Sequence, residues 1–115
     1  MLYTSTDDFY KQISNLKRLS REQEKDLAQK MKLGDEGAKK ALMDSYLPVL
    51  GAYLKRYARN PSLNMIYHGI QVLESSILTF DFQYDSPSPN CAFVHVLSDR
   101  VRKMILQFIA DNPTQ

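Results

Sequence analysis

Residues 62–80 read SLNMIYHGIQVLESSILTF and place Ile66, Ile70, Leu73, Ile77 and Phe80 at successive spacings of four, three, four and three. That is the period of one apolar stripe on an α-helix, and it predicts a helix with one face in a core. Ser62 stands where a helix N-cap belongs, and Asn60-Pro61 closes whatever precedes it. Upstream, a long helix is expected over about 36–59, with Ala38, Leu42, Val49, Leu50, Tyr53, Leu54 and Tyr57 among its apolar positions. Pro48 lacks a backbone donor and crowds the turn before it, so a kink or break near 44–48 is expected. Leu33-Gly34-Asp35 reads as a tight turn, with Gly34 ending one helix in a left-handed conformation and Asp35 capping the next. Ser20-Arg21-Glu22-Gln23 is a capping box, opening a helix with Leu27, Ala28 and Met31 on one face. Asp7 and Asp8 are placed to cap a short helix over 8–16, with Phe9, Ile13 and Leu16 inward.

Downstream, Gln83 to Asn90 contain two prolines among Ser, Asp and Asn, and are expected to be a loop. A last helix fits 91–110, with Phe93, Leu97, Val101, Met104 and Phe108 on one face and Asn112-Pro113 as its stop. The whole is an all-α reading: a single helical domain over 1–115, a small bundle of about five helices joined by short connectors.

Composition narrows the function. The 115 residues are 43% hydrophobic and 24% charged, which suits one folded core. A single cysteine, Cys91, excludes a disulfide framework within the chain and fits a reducing compartment. The two histidines, His68 and His95, do not suffice with it for a closed zinc site. No apolar run is long enough to span a membrane, and residues 1–15 show no secretory h-region, so a cytoplasmic protein is expected. The glycines, at 34, 37, 51 and 69, form no phosphate loop; no Glu-x-x-His pair occurs; nothing adjacent activates Cys91. Neither catalysis nor a cofactor is expected. Residues 1–62 carry 12 Lys or Arg against 8 Asp or Glu, whereas 63–115 carry 3 against 5. Any nucleic-acid contact is therefore expected mainly from the first half, at Lys55, Arg56 and Arg59 beside Tyr53 and Tyr57, with Arg100, Arg102 and Lys103 as a second cluster.

Several words, in order, resemble one family. Phe9 to Ser14, Leu19 to Glu24 with Leu27 to Met31, Gly34-Asp35-Glu36-Gly37-Ala38-Lys39, Lys55-Arg56-Tyr57-Ala58, Met65-Ile66-Tyr67-His68-Gly69 and Phe80-Asp81 resemble regions 1.2 and 2 of bacterial sigma-70-type transcription initiation factors. The resemblance implies region-1.2-like helices over 8–33 and a region-2-like bundle over 35–110. It implies docking on bacterial RNA polymerase through Asn64, Tyr67, His68 and Gln71, and contact with promoter DNA. Two departures qualify it. Asn64 and His68 stand where the family has acids, so ionic pairing with a basic partner is weakened. Asp99 and Arg100 stand at the family's two tryptophans, so −10 recognition is expected to be weak or absent. Nothing after residue 110 resembles the domain that reads the −35 element, which implies a second chain supplying it. The alternatives are a non-DNA-binding module that keeps this fold for another protein partner, and a small DNA-binding domain without polymerase contact.

Overall fold

A computed structural model describes residues 3–58, 61–83 and 93–111. Five α-helices follow in order: α1 Thr6–Ile13, α2 Arg21–Lys32, α3 Glu36–Ala58, α4 Leu63–Thr79 and α5 Phe93–Asp111. The described residues hold no strand, and the all-α bundle is as expected.

Local chemistry sets most of the boundaries. At α2 the Ser20 side chain accepts from the Gln23 backbone at 3.2 Å while Gln23 Oε1 accepts from the Ser20 N–H at 2.9 Å, a reciprocal capping box. Its other end is a Schellman turn: Gly34 takes φ of 95°, its N–H reaches Met31 O, and the Asp35 N–H reaches Lys30 O. Asp35 Oδ1 then accepts from the Ala38 N–H at 3.1 Å and starts α3. Ser62 caps α4 through Met65 N.

At α1 the cap differs from expectation. Ser5 is the N-cap, accepting from Asp8 N, and the helix runs Thr6–Ile13 rather than 8–16. Asp7 and Asp8 instead occupy the first turn, where the helix dipole favours carboxylates. Asp8 also reaches back to the Thr4 N–H at 2.9 Å.

α3 is the wall on which α1, α2, α4 and α5 all pack. Of the kink or break expected near 44–48, the break does not occur: the helix continues through Pro48. An interior proline costs about 3 kcal/mol. Burial of Leu42, Tyr46, Leu47, Leu50 and Leu54 from four sides offsets it. α1 crosses α3 at Gly51, where an added Cβ would lie 2.7 Å from Ile13 Cδ1 and 3.0 Å from Tyr10 Cε1. The Tyr10 hydroxyl donates to Gly51 O at 2.9 Å across the same crossing.

α4 and α5 run antiparallel. Arg100 meets Ser76 and Thr79 at one end of the pair, and Phe108 meets His68 at the other. α3 and α5 run in the same direction, with Tyr53 against Val94 O and Tyr57 against Ser98. Of the α4 stripe, Ile66, Leu73 and Ile77 are buried, whereas Ile70 and Phe80 are half-buried. Of the α5 stripe, Phe93, Leu97 and Val101 are buried and Met104 and Phe108 half-buried. Phe80, Phe82 and Phe93 close one end of the core, their ring centroids 5.0 to 5.2 Å apart.

Candidate functional site

The four α4 residues proposed for docking divide into two groups. Asn64, His68 and Gln71 share one helix face at spacings of four and three, and all three are exposed. The His68 ring lies edge-on to Phe108, with centroids 5.5 Å apart, so α5 steadies it. Tyr67 is half-buried and flanks that face on the side toward α3. Its hydroxyl accepts from the Tyr3 N–H at 2.9 Å and donates to the Tyr3 carbonyl at 3.2 Å.

Beside Tyr67, α3 and α4 leave an open groove of about 310 Å³. Met43, Leu47 and Ile70 make it largely apolar, and Glu36, Lys39, Lys40 and Glu74 rim it. Lys39 is paired with Glu74 at 3.1 Å across the two helices, and Lys40 with Asp44 at 2.8 Å. The half-buried Ile70 thus has two roles: it belongs to the apolar stripe of α4 and it lines the groove.

The basic residues do not form one surface. Lys55 is exposed but lies over the Tyr10 ring, 4.0 Å from its centroid. Arg56 lies 5.7 Å from the Tyr57 centroid. Tyr53 and Tyr57 are half-buried and stacked at 6.3 Å, their hydroxyls turned to α5. Arg59 lies outside the described residues, as do residues 84–90 of the expected loop, Cys91 and Asn112-Pro113.

On α5 the cluster separates further. The Arg100 guanidinium donates to Ser76 Oγ at 3.1 Å and to Thr79 Oγ1 at 3.3 Å, which ties it to the last turn of α4. There a cation also complements the helix dipole. Arg102 and Lys103 both pair with Asp99, at 3.2 and 3.0 Å. Hydrogen bonds from Lys103 and then Arg102 hold the Asp99 carboxyl below the usual carboxylate range. One carboxylate therefore offsets two of the α5 cations.

Two polar features were not anticipated. Glu24 is buried, at 5% exposure, with its oxygens 2.7 and 2.9 Å from the Tyr46 hydroxyl and Arg21 at 3.9 Å. It takes an inward position on α2, where Ala28 is also buried and Leu27 and Met31 are only half-buried. The second is Tyr3, at 4% exposure, packed edge-on against Phe9. Its position before α1 gives it no periodicity to read. Among the described residues no three His, Cys, Asp or Glu side chains come together as metal ligands would. No helix there is long and apolar enough to cross a membrane.

Comparison of the chain with protein-family models, with curated proteins and with solved structures finds no match in any of the three.

Proposed function

We propose that this chain is a sigma-like transcription initiation factor or accessory subunit that docks on bacterial RNA polymerase, with weakened or absent −10 promoter recognition. The observation that carries the reading is the α4 surface. An exposed polar face of Asn64, His68 and Gln71 lies next to Tyr67 and the apolar α3–α4 groove, a combination suited to a helical partner. The order of capped helices, with turns at Gly34-Asp35 and Ser62, supports it, because it follows the order of the sigma-like words.

The direct test is co-purification with polymerase. Because Tyr67 is committed to Tyr3, the informative substitutions are His68→Lys and Gln71→Arg at exposed positions, which put cations against a basic partner. Together they are expected to abolish recovery of the large polymerase subunits while the helical circular dichroism stays unchanged. Undiminished recovery removes the assignment.

A second reading is favoured by Asp99. Its pairing with both Arg102 and Lys103 weakens the α5 basic cluster as a phosphate-binding surface. On that reading the chain is a protein-interaction module that keeps the bundle and leaves DNA alone. Recovery of a different protein by the same α4 face, with polymerase absent, distinguishes it.

A further inference from the structure

The segment before α1 is fastened to the helix that carries the docking face. The Tyr67 hydroxyl is engaged on both sides by one residue, accepting from the Tyr3 N–H and donating to the Tyr3 carbonyl. The two rings lie 6.3 Å apart at 33°. Burial, and then the Asp44 carboxylate on α3, push the Tyr3 phenol up. Asp44 in turn pairs with Lys40, which rims the groove. Tyr3 thus bridges from α4 at Tyr67 toward α3 at Asp44, at the Tyr67 end of the open groove.

The attachment is separate from the cap of α1. Thr4 is exposed. Ser5 holds the start of α1 by accepting from Asp8 N at 3.1 Å, independently of residues 3 and 4. Lifting those two residues gives up the Tyr67 pair, the burial of Tyr3 against Phe9 and the Thr4–Asp8 bond, but leaves that cap in place. Phe9 and Ile13 stay buried on α3 and keep α1 in position.

We infer that Tyr3 and Thr4 form an autoinhibitory strap: Tyr3 occupies the hydroxyl of Tyr67, which lines the α3–α4 groove, and a partner that docks on α4 through Tyr67 must displace it. The inference rests on the reading of α4 as a polymerase-docking helix. In the strapped state Tyr67 has its hydroxyl spent, and the apparent affinity for polymerase falls by the fraction of molecules that are open.

The test is binding of the labelled full chain to core RNA polymerase, with Tyr3→Asp and Tyr3→Phe compared. A carboxylate at position 3 would be buried beside Asp44, so Tyr3→Asp expels the strap. Tyr3→Phe keeps the ring and both backbone bonds. The expected result is binding tighter by about fivefold or more for Tyr3→Asp and unchanged for Tyr3→Phe. The amide of residue 3 should lose hydrogen-exchange protection in Tyr3→Asp only. If Tyr3→Asp loses helix content, Tyr3→Ala, which buries no charge, takes its place with the same expectation. Equal or weaker binding by the strap-opened variant, with helix content intact, overturns the strap and leaves the docking reading standing. Absence of polymerase binding by wild type and variants alike overturns the docking reading and the strap with it.

Discussion

The Tyr46 hydroxyl lies 2.7 and 2.9 Å from the two oxygens of the buried Glu24, so one phenolic proton is shared by both acceptors. Burial, reinforced by the hydrogen bond to Glu24, pushes the Tyr46 phenol well up, which keeps it a donor at ordinary pH. The Arg18 guanidinium covers the Tyr46 ring at 4.7 Å. Tyr46→Phe leaves the carboxylate without its main donor and is expected to cost about 1–3 kcal/mol in urea denaturation. Adding Glu24→Gln to that variant should recover part of the loss, because an amide is cheaper to leave under-satisfied than a charge.

Alkaline pH should loosen the junction of α1 and α3. Burial raises the Tyr10 phenol from 10.0 to about 12. A raised folded-state value means that stability is fully present below the unfolded value and is lost as pH rises toward and through the folded one. The denaturation midpoint is therefore expected to hold steady up to about pH 10 and to fall between 10 and 12. Tyr10→Phe should start lower, having lost the bond to Gly51 O, and fall less steeply.

Gly51→Ala tests the same crossing by steric means. The new methyl would meet Ile13 Cδ1 at 2.7 Å. A loss of about 1–3 kcal/mol is expected, as for overpacking elsewhere. Ile13→Val removes that terminal methyl, and the double variant should be more stable than Gly51→Ala alone. Gly34→Ala makes a useful contrast. Nothing lies within 4 Å of its Cβ position, so only the left-handed backbone is penalised, by about 1 kcal/mol.

Asp99→Asn frees Arg102 and Lys103. Affinity for single-stranded or forked DNA, followed by fluorescence anisotropy, should rise above wild type. The dependence of log K on log salt should steepen by about one to two units, one for each cation brought to a phosphate. If affinity and salt slope stay at wild-type values, α5 does not face DNA. Lys55→Glu is a weaker probe, because it also removes the cation from the Tyr10 ring and needs a stability control.

The caps at Ser20, Asp35 and Ser62 were legible because each joins a side chain to a backbone group three residues on. Local chemistry decides such features before any tertiary contact forms. The α4 stripe was legible for a related reason, since a 3.6-residue period needs only one face buried. Pro48 does not break α3 because the cost of a missing donor is local, while the burial that offsets it comes from four other helices. Glu24 sits among the polar residues of a capped helix start, and only Tyr46, 22 residues away, makes its burial tolerable. At the candidate site Asn64, His68 and Gln71 come from the resemblance alone, and the structure adds that all three are exposed. The engagement of Tyr67 could not be read from the sequence, because its partner is 64 residues distant and outside any helix.

α1 and α2 both lie against α3 and share few contacts with each other. Energetically they are two tenants of one wall. Destabilising substitutions on α1, such as Phe9→Leu, and on α2, such as Ala28→Gly, should therefore add with little interaction in double-mutant cycles. Substitutions that pair α4 with α5, such as Ser76→Ala with Arg100→Ala, should depart from additivity. A surface built from the first two helices can thus drift in sequence without disturbing the three-helix block beneath, to which α4 belongs.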